Sequence, residues 1–92
     1  MNLIFKRGKY YNGNVALMAF DAETGEPYAN ATVNVDRLPK GMAALDTNNW
    51  PEVVDVLMEE GIITSEQQGS MQSGFCEYPI YKLNLDGLQL AE

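Results

Sequence analysis

Histidine is absent from the sequence, and with it the commonest general base and the commonest neutral metal ligand. Cysteine is nearly absent. Cys76 stands alone, so no disulfide can close within the chain, and a reducing cytoplasm is the expected compartment. Cys76 lies in the strand-like run Phe75-Cys76-Glu77 with no base beside it to generate thiolate, so a buried structural thiol is expected rather than a nucleophile. No apolar run reaches the roughly 18 residues of a spanning helix, so no membrane segment is expected. The opening Met1-Asn2-Leu3-Ile4-Phe5-Lys6-Arg7 places its charges after a very short apolar run, the reverse of a secretory signal. A phosphate loop is missing too: Gly8, Gly13 and Gly25 fall at turns or kinks, not between a strand and a helix. Glu59 and Glu60 are adjacent and diverge by about 100° on a helix, so they do not form an opposed carboxylate pair. The acids of Asp21-Ala22-Glu23-Thr24-Gly25-Glu26-Pro27 lack the alternating ligands and bidentate glutamate of a calcium loop, so a plain hairpin turn is expected. These absences argue against an enzyme. No catalytic residue, cofactor or metal ligand is assigned.

Positive charge is scarce in one part of the chain. Residues 1–40 hold five bases (Lys6, Arg7, Lys9, Arg37, Lys40) and four acids, a balance of +1; residues 41–92 hold Lys82 and nine acids, a balance of −8. From Gly41 to Tyr81 there is no base at all. Such a surface repels nucleic acid and attracts a basic partner over roughly a Debye length, about 8–10 Å at physiological salt. Simple solubility is the plain alternative. The run Lys6-Arg7-Gly8-Lys9-Tyr10-Tyr11 mixes bases with aromatics, as single-strand-binding surfaces do, but three bases are few against the acidic remainder. An edge strand guarded by lysines is the better reading, and no direct nucleic-acid contact is expected.

What is present is a single helix signal over about 49–60. Asn49 can cap the free N–H groups, Glu52 completes a capping-box spacing, and Pro51 falls in the first turn. Gly61 is placed to close the helix in the left-handed conformation, with Ile62-Ile63 folding back on the last turn. Trp50, Val53, Val54, Leu57 and Met58 form one apolar stripe, with Glu52, Asp55, Glu59 and Glu60 outside it.

Around that helix the sequence reads as strands. Leu3–Tyr11 and Asn14–Phe20 flank Asn12-Gly13, a two-residue type I′ hairpin signal. In the second strand both faces are apolar, which suits a central strand covered on both sides or carrying a partner on its outer face. Tyr28–Val35 alternates, with Ala29, Ala31, Val33 and Val35 inward and Asn30, Thr32 and Asn34 outward. The small alanines leave room for Trp50. Met42–Leu45 is a brief strand or a tucked loop, and Thr64–Gly74 is a polar, mobile loop. Phe75–Leu83 is a last strand which Pro79 places at an edge, at a bulge or near its end. Residues 84–92 add a short strand or fray. The expected fold is one α+β domain over 1–92: a three- to four-stranded antiparallel sheet with one helix packed on one face.

The function left standing is a binding module. Asp46, Glu52, Asp55, Glu59, Glu60 and Glu66 are the candidate contacts, because carboxylates spaced along a helix can occupy phosphate-like positions and compete for a nucleic-acid channel lined by arginine and lysine. A solvated helix face is the plain alternative, and Trp50 is a core anchor rather than a contact.

Three stretches taken together resemble a known family: Gly25-Glu26-Pro27-Tyr28-Ala29 leading to Thr32-Val33-Asn34, then Asp46-Thr47-Asn48-Asn49-Trp50-Pro51, then Ser73-Gly74-Phe75-Cys76-Glu77-Tyr78-Pro79-Ile80-Tyr81. With the Gly61-Ile62 helix end, they are similar to small uncharacterised proteins of bacterial phages, plasmids and conjugative elements, over about Tyr11 to Leu83. The resemblance brings no reaction and no site. It implies a setting in a bacterial host cell, where small acidic proteins of mobile elements resemble inhibitors of host defence, including anti-CRISPR and anti-restriction proteins. The expected partner is a basic protein such as a CRISPR nuclease. The alternative is a structural or assembly module of the mobile element, a homodimer through the edge strand near Cys76–Tyr81.

Overall fold

The computed structural model describes residues 2–91. Along the chain come β1 (Leu3–Lys9), β2 (Val15–Asp21), β3 (Pro27–Asn30), β4 (Thr32–Val33), β5 (Met42–Leu45), α1 (Val53–Glu59), β6 (Gly69–Ser73), β7 (Cys76–Lys82) and β8 (Gln89–Leu90). They make two four-stranded sheets, in the orders β3-β2-β1-β8 and β4-β5-β7-β6. All pairings are antiparallel except that of β8 with β1. The α+β class with mainly antiparallel strands therefore holds. The single sheet does not: the helix lies beside a core that two sheets share.

The division falls at Ala31. One residue separates β3 from β4, and there the chain passes from the first sheet to the second. The Ala31 N–H donates to Leu17 O at 2.9 Å and its carbonyl accepts from Asp46 N at 2.9 Å, so one residue links both sheets. Its side chain is fully buried, and a larger one has no space at this corner. The bend also breaks the expected alternation. Thr32, expected outside, is buried; its Oγ1 accepts from Leu17 N at 3.1 Å and bonds the Tyr10 hydroxyl at 3.0 Å. That pairing removes the cost of burying a hydroxyl.

The main core draws on both sheets. Phe5, Leu17 and Ala19 from the first meet Ala43, Leu45 and Tyr81 from the second, with Trp50, Val53 and Leu57 completing the cluster. Trp50 is buried in that cluster, between the rings of Phe5 and Tyr28. A smaller cluster of Val35, Ala44 and Ile80 lies apart from it, with Val33, Met42, Met71 and Tyr78 packed around.

The first hairpin forms by a different turn from the one expected. Gly13 has φ +93°, yet among the described residues no non-glycine has positive φ, so Asn12 cannot occupy a type I′ position. Instead Gly13 N donates to Tyr10 O at 2.9 Å and Tyr10 N to Asn14 O at 2.8 Å. This is a three-residue loop ending in a glycine bulge, and β1 accordingly stops at Lys9 instead of reaching Tyr11.

Further departures lie in the second sheet. Met42–Leu45 is a strand, and an interior one, between β4 and β7. The polar stretch expected as a mobile loop contains β6, paired with β7 from Gly69↔Ile80 to Ser73↔Cys76. β7 thus has neighbours on both sides, so the expected dimer contact through an edge at Cys76–Tyr81 is not available in that form. Pro79 fits because the pairing with β5 ends at Ala44↔Ile80, one residue short of it. The C-terminal stretch adds β8, with Leu85 and Leu88 against the core; Glu92 lies outside the described residues.

The helix is shorter than expected and starts differently. α1 begins at Val53, the residue at its N-cap is Glu52, and no side chain caps it. Asn49 is occupied elsewhere: its N–H and its side-chain amide both donate to the Asp46 carboxylate, at 3.1 and 2.9 Å. The C-terminus agrees with expectation. Gly61 has φ +74°, Gly61 N donates to Met58 O at 3.1 Å, and Ile62 N donates to Leu57 O at 2.9 Å, a Schellman closure with Ile62 and Ile63 buried beyond it. A Cβ on Gly61 meets nothing within 4 Å, so only the backbone conformation resists substitution. Gly61→Ala is therefore expected to lower stability by about 1 kcal/mol, read as a fall in Tm of about 4–8 °C.

Candidate acidic interface

The approach to the helix is set by Asp46. Its side chain is buried at 6% exposure, both carboxylate oxygens serve Asn49, and its carbonyl accepts Trp50 N at 2.9 Å. An aspartate is suited to this because a short carboxylate can accept the main-chain N–H three residues on, here that of Asn49. The turn delivers Trp50 into the core, stacked on Phe5 with centroids 6.4 Å apart and edge-on to Tyr28 at 5.6 Å. Asp46 therefore positions the helix and is withdrawn from the proposed contact surface.

The other candidates are exposed. Glu52, Asp55, Glu59, Glu60 and Glu66 all face solvent. Glu52, Asp55 and Glu59 follow spacings of three and four residues, which places them within about 60° of one another around the helix. Val53 and Leu57 are fully buried on the opposite side, with Val54 and Val56 half-buried against the same core. Met58, expected in the apolar stripe, is instead exposed at 45%. Glu66 lies beyond the helix in the segment leading to β6, where its carbonyl accepts the Gln68 side-chain amide at 2.7 Å. Burying valine and leucine on one side is thus what turns the helical acids outward as a group.

Elsewhere the surface is chemically plain. Cys76, expected to be buried, is half-buried at the start of β7. The Tyr78 hydroxyl is pushed above its ordinary 10.0, first by its side-chain interaction with Cys76 and then by desolvation. Among the described residues, no cluster of three or more His, Cys, Asp or Glu side chains could hold a metal ion, and no buried side-chain nitrogen or oxygen lacks a partner. Among the described residues, no helix is long and apolar enough to cross a membrane. Sequence reasoning missed a second grouping. Arg7, Lys9, Arg37 and Lys40 line one cavity, and the only sequence signal for it is that these bases all lie in the first 40 residues.

By fold this is a small α+β domain of two mainly antiparallel sheets and one short helix, with an acidic helical surface. Residues 4–92 match the family described as Domain of unknown function (DUF4313), and the chain belongs to that family. Comparison with curated proteins and with solved structures finds no match.

Proposed function

We propose that the chain is a non-enzymatic interaction domain whose acidic helical surface engages a basic, nucleic-acid-binding effector of host defence, in the manner of an anti-CRISPR inhibitor. The observation that carries this reading is the exposure of Asp55 and Glu59 on one short helix and of Glu52 and Glu60 at its two caps, in a stretch from Gly41 to Tyr81 without a single base. Exposed carboxylates with no local counter-charge steer a basic surface toward them and occupy positions that nucleic-acid phosphates would otherwise take. The seat of the helix, fixed by Trp50 and the Asp46 turn, presents them on a backbone that is already ordered, so binding immobilises only their side chains. The test is competition. Increasing amounts of the protein are expected to displace labelled nucleic acid from its captured effector in a gel-shift titration; undiminished nucleic-acid binding at saturating protein would reject the mechanism.

A second reading, an assembly module of a mobile element, draws on one feature. β6 is an edge strand, Gly69-Ser70-Met71-Gln72-Ser73, without the lysine or proline that commonly guards such an edge, and Phe75 beside it is fully exposed. A sedimentation coefficient that rises with protein concentration, and that Met71→Lys abolishes, would favour this reading.

A further inference from the structure

The inward face of β1 continues past the core. Phe5 is buried in it, and Arg7 and Lys9 follow at two-residue spacing on the same face. Opposite them lies the connection from β4 to β5, which carries Arg37 and Lys40. Between these segments is a cavity of about 460 Å³ lined by all four bases. Among the described residues no acid lines it; Asp36, next to Arg37 in sequence, lines the neighbouring cleft instead. Four of the six bases of a chain with net charge −7 thus converge on one opening.

The cavity is built, not a chance meeting of long side chains. Asn14 is 4% exposed at the end of the first hairpin; its amide nitrogen donates to Val35 O at 3.1 Å and Asp36 O at 3.2 Å, and its oxygen accepts Leu38 N at 2.8 Å. The backbone is therefore held on either side of Arg37, whose side chain is exposed. The next turn is closed by Met42 N donating to Pro39 O at 3.1 Å, and Gly41 O accepts Leu83 N at 2.8 Å, which fixes the backbone carrying Lys40. Arg7 is held by its Nε donating to Leu88 O at 3.3 Å, leaving its terminal nitrogens to act as donors.

The chemistry points to phosphate. Two guanidinium groups offer forked donors that match phosphate oxygens, and two ammonium groups add charge without geometric demand. A bare phosphate uses only part of this space, since the volume falls within the range of small-molecule sites, about 300–1,000 Å³. The remaining wall is apolar, from Val15, Leu38, Pro39, Met42 and Leu85, and suits a ring lying against it. No aromatic side chain lines the cavity, which disfavours the stacking platform of a single-strand binder. We propose that this cavity binds a nucleoside phosphate, the phosphate held by Arg7, Lys9, Arg37 and Lys40 and the nucleoside packed on Leu38 and Met42. The site lies on the chain's basic portion and is independent of the acidic helix.

The test is an amide-resolved NMR titration of the intact protein with AMP, GMP, CMP and UMP, beside inorganic phosphate, adenosine and a short single-stranded DNA. At least one mononucleotide is expected to give saturable shifts at the Gly13, Leu38 and Gly41 amides, about tenfold tighter than inorganic phosphate. Arg37→Gln combined with Lys40→Gln, both exposed positions, is expected to abolish those shifts while leaving the rest of the spectrum in place. Three results would overturn the assignment: no saturation with any mononucleotide, phosphate binding as tightly as the nucleotides, or single-stranded DNA binding at these amides while the mononucleotides do not.

Discussion

Trp50→Ala is expected to lower the unfolding free energy by about 3–5 kcal/mol. The indole is 8% exposed, packs against both sheets through the shared core, and makes stacked and edge-on contacts with Phe5 and Tyr28. Truncation removes the transfer energy of the largest side chain and leaves a cavity in a close-packed core that relaxes only in part. Each aromatic pair lost adds about 0.5–1.5 kcal/mol within that range. A domain of this length holds about 5–14 kcal/mol in total, so the variant stands near the unfolding threshold. Urea titration followed by far-UV circular dichroism measures it, because the substitution removes the only tryptophan that fluorescence could follow. A loss below about 1 kcal/mol would show that the helix is not seated by Trp50.

The second large effect concerns association. Changing Glu52, Asp55 and Glu59 together to lysine is expected to weaken binding of a basic effector on the order of 100-fold, equivalent to about 2.7 kcal/mol. Most of the loss should lie in the association rate, because exposed charges act mainly by steering. The fold should persist, since each position is exposed and surface changes of this kind stay within about 0.5 kcal/mol. Surface plasmon resonance at several salt concentrations separates the two rates. Unchanged affinity in the triple variant would remove the electrostatic basis of the proposal.

The parts of this fold legible in the sequence are those whose signal is local. The Gly61 stop, the first hairpin and the Asp21–Pro27 turn each depend on residues within a few positions of one another; in the last, Asp21 Oδ1 accepts the Glu23 and Thr24 N–H groups at 2.8 and 3.3 Å. The second sheet was not legible as a sheet because two of its four strands, β5 and β6, have little strand character of their own. Met42-Ala43-Ala44-Leu45 is short and half alanine, and Gly69-Ser70-Met71-Gln72-Ser73 is polar; both are strands because β7 offers them a ladder. Thr32 and Asp46 read as surface residues because both are polar, and their burial becomes affordable only once Tyr10 and Asn49 reach them. Of the acidic site, the helical carboxylates were legible from the 3.6-residue period, whereas the withdrawal of Asp46 required the turn geometry. The basic cavity joins residues about 30 positions apart through Asn14, and no local pattern announces that.

The most direct measurement is a side-by-side capture from host lysate with the native chain and the Glu52→Lys, Asp55→Lys, Glu59→Lys variant as baits. Each is washed at low and at high salt, and the retained proteins are identified by mass spectrometry. An interaction carried by the acidic helix predicts a basic nucleic-acid-binding protein held by the native chain at low salt, released as the Debye length shrinks to about 3 Å near 1 M, and missing from the variant. The same proteins retained by both baits, or retained through the high-salt wash, would contradict it.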